Sequence, residues 1–181
     1  TANDTVFGGS GADFIDGAGG SDEINGGAGN DSLLGGGDSD VLVGGRGNDV
    51  LRGQNGDDVL IGGPGNDILD GGAGSDTVSY ADAGSRVAVF LTRTDDVLGG
   101  QGIDTFISIE NLIGSSFSDR LVGNAVDNHL IGGGGNDVII GQNGNDILEG
   151  GNGRDTLTGP GGNGLRLRGW GTDTLIGLGG E

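Results

Sequence analysis

The chain has 181 residues, 47 of them Gly, and a formal net charge of −19 from 27 acidic and 8 basic residues. Such a charge argues against nucleic acid as a partner, because phosphate binding depends on Lys and Arg. The chain has no apolar stretch long enough to span a membrane and no Cys for a disulfide framework.

A nine-residue repeat runs without interruption from Gly8 to Ser79. Every unit has a Gly-rich beginning, Asp at place six and Ile, Leu or Val at place eight, as in GGRGNDVLR and GGPGNDILD. A fixed short period of this kind is typical of a solenoid. The Gly-rich places predict a turn, and the three residues after each Asp predict a short strand with one side chain facing inward. Two units then make one turn of a coil, so that each unit stacks on the unit 18 residues away.

This stacking would bring acidic side chains together along both edges of the coil. Asp31, for example, would lie near Asp49, and Asp22 near Asp40. A column of carboxylates needs a cation or must take up protons, because like charges repel. Calcium suits such a column, since it binds six to eight oxygens from carboxylates and carbonyls in a flexible geometry, whereas magnesium requires a stricter octahedral site.

The unit G-G-x-G-x-D-x-U-x, in which U is a large apolar residue, resembles the repeat of the repeats-in-toxin (RTX, hemolysin-type) family. The resemblance implies an all-β fold, a parallel β-roll with calcium ions between stacked loops. It also implies that each ion takes carbonyls from places two and four and the Asp of one unit, with carbonyls from places one and three and the Asp of the stacked unit. One such site would contain Gly27, Gly29, Asp31, Gly44, Arg46 and Asp49.

The same rule assigns metal ligands along the chain, and about ten calcium ions would fill all well-formed pairs. The assigned residues are Asp4, Gly9, Gly11, Asp13, Gly17, Gly19, Gly20, Asp22, Gly26, Gly27, Ala28, Gly29, Asp31, Gly35, Gly36, Gly37, Asp40, Gly44, Gly45, Arg46, Gly47, Asp49, Gly53, Asn55, Gly56, Asp58, Gly62, Pro64, Asp67, Gly71, Ala73, Asp76, Asp104, Asp119, Gly132, Gly133, Gly134, Gly135, Asp137, Asp146, Gly150, Gly151, Asn152, Gly153, Asp155 and Asp173.

One break in the repeat predicts three regions. Residues 1–79 are a first β-roll, residues 80–113 a splice module with one embedded repeat at 99–107, and residues 114–181 a second, more degenerate roll that stops in mid-repeat. The fold predicted is therefore two rolls joined by a splice module.

Several positions depart from the repeat. Alternation of Val87, Val89 and Leu91 predicts a strand longer than those of the repeats. Asn128 replaces a ligand Asp and Gly164 offers no side chain, so we do not expect complete calcium sites there. Phe117 and Val126 replace Gly at place four, as Asp38 does in the first roll.

The resemblance implies a calcium-binding module of a secreted, extracellular bacterial protein. Family members leave the cell unfolded by one-step (type I) secretion and fold in external calcium. High charge, abundant Gly and 4% aromatic residues agree with a chain that stays disordered until the metal is bound. We expect no enzymatic activity in this chain itself, which we expect to be part of a larger secreted polypeptide that it stabilises or presents.

Two alternatives remain open at this point. The chain could be a stretch of an adhesin that binds a polysaccharide or a cell surface. It could also be the accessory module of a secreted protease, lipase or polysaccharide epimerase, since the parent protein could be an enzyme.

Overall fold

A computed structural model describes residues 2–92, 100–160 and 169–178. In these ranges it contains 19 β-strands and no helix, and thus no helix suited to crossing a membrane. The strands are β1 Thr5–Ser10, β2 Phe14–Asp16, β3 Glu23–Ala28, β4 Ser32–Gly36, β5 Val41–Arg46, β6 Val50–Asn55, β7 Val59–Ile61, β8 Ile68–Ala73, β9 Thr77–Ser79, β10 Ala88–Phe90, β11 Thr105–Ile107, β12 Asn111–Ile113, β13 Arg120–Val122, β14 His129–Gly134, β15 Val138–Ile140, β16 Ile147–Asn152, β17 Thr156–Pro160, β18 Gly169–Trp170 and β19 Thr174–Leu178.

The first of two compact units comprises Thr1–Ser79 and Gly100–Ile109. One of its parallel sheets has the order β1-β3-β5-β7-β9, and the other has the order β2-β4-β6-β8-β11. From β1 to β9, odd and even strands alternate between the sheets because each nine-residue unit turns the chain from one sheet to the other. This arrangement is a parallel β-roll, as the sequence predicts.

The second unit comprises Tyr80–Gly99 and Glu110–Glu181. Its parallel sheets have the orders β12-β14-β16-β18 and β10-β13-β15-β17-β19. It is a β-roll built in the same way as the first.

The core of each unit is a ladder of the apolar residues at place eight. Leu33 pairs with Leu51, and Leu51 pairs with Leu69, on neighbouring parallel strands. All three side chains are fully buried, as are Leu121 and Ile139 in the second unit. The 18-residue offset keeps each Asp at place six, two residues before its core residue, in a fixed position on the loop edge.

Two details of the strands differ from the predictions. Several repeat strands, such as Glu23–Ala28, continue through places one to three of the next unit instead of ending after three residues. The prediction of a long strand around Val87 to Leu91 is wrong, because the observed strand is only Ala88–Phe90. Its neighbour offers only three partners, Arg120–Val122, before the chain turns away at Gly123.

The embedded repeat packs on the first roll. Its strand β11 continues the sheet beyond β8, with Thr105 opposite Ile68 and Phe106 opposite Leu69. The stacking of the first unit therefore resumes after residues 80–99, which belong to the second unit.

Candidate metal centre

The loops between strands alternate ordinary and left-handed backbone. Places two and four have positive φ, as at Gly27 (103°) and Gly29 (141°). Gly is required at Gly29 because a Cβ there would collide with the carbonyl oxygen of Gly11, 18 residues earlier. Ala18 and Asp38 hold positive φ without being Gly, both at 69°.

The loop carbonyls of stacked units face one another. The Gly27 carbonyl oxygen faces Gly45, and the Gly29 carbonyl oxygen faces Gly47. In the opposite direction, the Arg46 carbonyl accepts a 2.7 Å hydrogen bond from the Gly29 N–H. Backbone oxygens thus enter the space between two loops from both sides.

A column of Asp side chains closes each loop edge. The backbone N–H of Asp31 donates a 2.8 Å hydrogen bond to Oδ1 of Asp49, and the same bond recurs at other steps of 18 residues. The other donor and acceptor pairs are Asp4 to Asp22, Asp13 to Asp31, Asp22 to Asp40, Asp40 to Asp58, Asp49 to Asp67, Asp58 to Asp76, Asp119 to Asp137, Asn128 to Asp146, Asp137 to Asp155 and Asp155 to Asp173.

The second oxygen of most of these carboxyl groups is buried and, among the described residues, accepts no hydrogen bond. Such an oxygen costs free energy unless a proton or a cation satisfies it. The Oδ2 atoms concerned belong to Asp13, Asp22, Asp31, Asp40, Asp49, Asp58, Asp67, Asp137, Asp146 and Asp155. Among the described residues, these atoms are the strongest structural sign that the loops could hold a cation.

Oδ2 converges with a backbone carbonyl from the stacked loop. A Cβ placed on Gly26 would lie 2.5 Å from Asp31 Oδ2 and 2.8 Å from the Gly44 carbonyl oxygen. The same relation holds at Gly44, with Asp49 Oδ2 at 2.5 Å and the Gly62 oxygen at 2.7 Å. Place one must be Gly because any side chain would intrude between these oxygens.

Of the six groups predicted for one site, the structure brings Asp31 Oδ2 beside the Gly44 carbonyl oxygen and joins Asp31 to Asp49 by a hydrogen bond. That all six groups bind one ion stays a prediction. In the described ranges, no three acidic, His or Cys side chains converge as a metal cluster. A cation here would have to take most of its ligands from carbonyls. Calcium accepts such mixed oxygen ligands, so the residues present fit it.

Burial changes the proton affinity of these carboxyl groups. Desolvation raises the pKa of Asp40 to about 6 and the pKa of Asp67 and of Asp137 to about 7. The N–H of the stacked Asp lowers each pKa, and neighbouring negative charges raise it. Burial also raises the pKa of Asp49, Asp58, Asp146 and Asp155.

The embedded repeat supplies a pair that sequence spacing missed. The Asp67 N–H donates a 2.9 Å hydrogen bond to Oδ1 of Asp104, across 37 residues instead of 18. Asp104 is fully buried. The structure thus places Asp104 at the end of the column that contains Asp49 and Asp67. Gly164, where we expect no complete calcium site, lies outside the described residues.

Two loops of the second unit are built differently. In the first, Oδ1 of Asp119 accepts the Ser115 hydroxyl at 2.8 Å, and Oδ2 accepts the Ser115 N–H at 2.5 Å. In the second, Asn128 Oδ1 accepts the Asn124 N–H at 2.9 Å, and Asn128 Nδ2 donates to the Glu110 carbonyl at 2.8 Å. We call residues 114–119 and 123–128 the closed loops.

Sequence reasoning found the altered Asn128 but missed Ser115 and Asn124. The available signal was a hydrogen-bonding side chain at place two together with a bulky residue at place four. Phe117 N–H donates to Ser115 Oγ at 3.1 Å, and Val126 N–H donates to Asn124 Oδ1 at 3.1 Å. Side-chain acceptors of this kind favour local turns.

Comparison with known families addresses the same repeats. The family described as RTX calcium-binding nonapeptide repeat (4 copies) matches residues 1–33, 16–51, 34–69, 43–78, 113–148, 122–157 and 140–163. These matches cover well over half of the chain. The chain belongs to this RTX family. No curated protein matches it.

Membership of the RTX family agrees with the site geometry. The matched segments contain each Asp with a buried, unpartnered Oδ2 described above. The calcium-binding repeats named by the family and the oxygen-lined loops of the structure are therefore the same residues.

Proposed function

We propose that the chain is a module that folds when it binds calcium outside the cell and thereby stabilises or presents the rest of a secreted bacterial protein. The observation that carries the proposal is the column of buried Oδ2 atoms without hydrogen-bond donors in the described loops. These atoms make the roll unfavourable until a cation arrives.

The physical basis is the cost of burying charge. Asp31, Asp49 and Asp67 are at most 2% exposed, and hydrogen bonds between successive residues hold them in one column. In the unfolded chain the same carboxylates are hydrated and far apart. Because the site exists only in the folded chain, the free energy of calcium binding adds to the free energy of folding.

The proposal also accounts for the place of folding. Calcium sites of extracellular modules commonly have dissociation constants of about 10⁻⁴ to 10⁻³ M. Cytosolic calcium would leave such sites empty, so the chain would remain unfolded until it is exported. One-step secretion of an unfolded chain, which the RTX family suggests, is compatible with this order of events.

The ligand set proposed for each ion combines both stacked loops. Asp Oδ2 and the carbonyls of places two and four come from one unit, and carbonyls from places one and three and the second Asp come from the next. Pairing of Asp67 with Asp104 adds one step to the first roll. We propose about ten ions in all.

A far-UV circular dichroism titration with calcium tests the proposal, starting from a chelator and using magnesium as the control. We expect a cooperative change from coil to β structure with calcium alone. Full β signal in the chelator would contradict a folding switch, even if calcium also bound.

One observation favours a second candidate, the binding of an anionic polysaccharide. A groove of about 400 Å³ in the second unit is lined by Arg86, Ser118 and Arg120, among others. Neither guanidinium forms an ion pair with a described carboxylate, and Arg120 lies 5.7 Å from the centre of the Phe90 ring. Two available cations in an otherwise acidic chain suit the carboxylates of a uronate.

The polysaccharide candidate predicts that a short oligouronate binds the calcium-loaded chain, while a neutral dextran of similar length does not. The double variant Arg86→Ser with Arg120→Ser would lose this binding, and Arg52→Ser, an exposed Arg in the first unit, would retain it. Equal binding by all variants would rule out the groove.

A further inference from the structure

We infer that the closed loops take no calcium and that residues 80–92 and 110–131 form a calcium-independent start on which the second roll assembles. This inference rests on the proposed function, because it concerns which part of the module is folded before calcium binds. It removes the predicted ion between Asp119 and Asp137.

The Asp119 carboxylate has no free oxygen for a metal. Oδ1 accepts the Val87 N–H at 2.7 Å and the Ser115 hydroxyl at 2.8 Å, and Oδ2 accepts the Ser115 N–H. Oδ2 of the corresponding Asp137 and Asp155 has no such donor in the described residues. The Ser115 donors therefore satisfy the carboxylate in the way that a cation satisfies the others.

Asn128 satisfies the neighbouring loop without any negative charge. Its Nδ2 donates to the Glu110 carbonyl at 2.8 Å and to Asn124 Oδ1 at 3.1 Å. Its Oδ1, which lies where the Oδ2 of a repeat Asp lies, already accepts the Asn124 N–H at 2.9 Å, and the amide brings no negative charge to attract calcium. The amide that replaces the ligand Asp therefore has both of its polar atoms hydrogen-bonded within the fold.

The backbone of the closed loops also follows a different path. Ser115 and Phe117 occupy places two and four, yet neither has the positive φ found at Gly133 and Gly135 in the loop stacked above. The Phe117 N–H turns inward to Ser115 Oγ. In a repeat loop, the N–H of place four donates outward to the stacked unit, as Gly29 does to Arg46.

Buried apolar side chains stabilise residues 80–92 and 110–131 without a metal ion. The Val87 N–H donates to Asp119 Oδ1, which is the bond that an Asp makes in a repeat, so Val87 occupies the position of a ligand. Val87 is 1% exposed, and Tyr80, Val89 and Val122 are at most 4% exposed. Burial of apolar side chains stabilises this part of the fold at any calcium concentration.

On each loop edge, the first site that needs a metal lies 18 residues after a closed loop. Asp137 is stacked on Asp119, and Asp146 is stacked on Asn128. Asp137 and Asp146 each have a buried Oδ2 that accepts no hydrogen bond from a described residue. In a repeat protein, a folded segment lowers the cost of adding the neighbouring one. The closed loops would thus provide a preformed edge for β14 and β15 when calcium arrives.

Hydrogen exchange of the whole chain, followed by mass spectrometry in chelator and then in calcium, tests the inference. In chelator we expect amides of residues 80–92 and 110–131 to exchange at least roughly tenfold more slowly than those of residues 23–61. Uniformly fast exchange in chelator would overturn the inference but would leave the proposed calcium switch intact. Protection of residues 23–61 in chelator would instead contradict the proposed function.

A matched pair of variants gives an independent readout. Ser115→Gly restores the Gly of the repeat and removes the hydroxyl, whereas Ser116→Gly makes the same change at the next, exposed residue. Gly at place two can take the positive φ of Gly133, which would turn its N–H away from Asp119 Oδ2. We therefore expect Ser115→Gly to lose protection of residues 110–131 in chelator and to bind about one additional calcium ion, measured by equilibrium dialysis. Ser116→Gly should match the parent.

The calcium count distinguishes the inference even if Ser115→Gly is unfolded in chelator, because the count is made in calcium. Asn128→Asp should likewise add about one ion, whereas Asn136→Asp, which adds the same charge at an exposed place five, should not. Parent-like counts in Ser115→Gly and Asn128→Asp would overturn the inference.

Discussion

The backbone N–H of Asp31 donates a 2.8 Å hydrogen bond to Oδ1 of Asp49, so the two residues proposed to share an ion also contact each other directly. One carboxylate oxygen of each Asp is thus occupied by the protein, and the other is left for the metal. Asp49 serves two steps of the column, because its own N–H donates to Asp67.

Replacement of Asp49 should therefore affect two neighbouring sites. We expect Asp49→Ala to weaken calcium binding at both by at least about tenfold and to raise the calcium midpoint of folding. Asp70→Ala is the control, because this substitution removes the same charge from a side chain on the outward side of β8. Calorimetric titration measures both, and equal affinities would refute the ligand assignment.

A side chain at place one should block a site without removing any ligand. Gly26→Ala puts a Cβ at 2.5 Å from Asp31 Oδ2 and 2.8 Å from the Gly44 oxygen. We expect about one calcium ion fewer per chain in equilibrium dialysis. Gly37→Ala is the matched control, since its Cβ would meet no atom within 4 Å. The same loss in both variants would point to a general effect of Ala in the loops.

The ladder of apolar residues at place eight should contribute much of the stability of the calcium-loaded roll. Leu69→Ala removes a fully buried side chain, and we expect a loss of about 3 kcal/mol in the free energy of unfolding. The adjacent Ile68 is 40% exposed, so Ile68→Ala should cost less than about 1 kcal/mol. Urea unfolding in saturating calcium measures the two values. Equal costs would place both residues on the same side of the sheet.

Acid should substitute in part for calcium. The pKa values of Asp67 and Asp137 are about 7 in the folded chain, above the value of about 4 for an unfolded Asp. The metal-free fold therefore holds protons that the unfolded chain has lost. This stabilisation is complete below about pH 4 and is lost as the pH rises through about 7. Circular dichroism in chelator should show more β structure at pH 4.5 than at about pH 8.

The same protons compete with the metal. Where acid holds the metal-free roll folded, calcium affinity should rise with pH up to about 7, and binding near pH 6 should release protons. Calorimetry in two buffers of different ionisation enthalpy measures the release. Identical heats in both buffers at pH 6, about the pKa of Asp40, would show that these carboxyl groups are already ionised in the chain that binds calcium.

The nine-residue register predicted the fold because one spacing fixes several interactions together. Leu33 can face Leu51 only if Asp31 also stacks on Asp49, so the core and the loop column follow from the same offset of 18 residues. Backbone positions that need Gly are likewise repeated in each unit. Local sequence and global fold agree throughout this part of the chain.

The remaining features depend on contacts that a periodic pattern does not contain. The pairing of Asp67 with Asp104 requires knowledge of where the chain returns to the first roll. The contact of Ser115 with Asp119 depends on a local turn in a loop where place two and place four both differ from the repeat. The short strand β10 is limited by its neighbour and not by its own alternating sequence.

The return of the chain at Asp104 has a consequence for the history of such proteins. Residues 80–99 are inserted between two steps of the first roll, yet Thr105 still pairs with Ile68 in the register used by every other step. Since each step bonds only to its neighbours, a gene encoding this fold can gain or lose segments at a loop without redesign of the remainder. Lengthening by duplication and splicing is thus open to evolution, and the same route is open to engineering of longer or branched rolls.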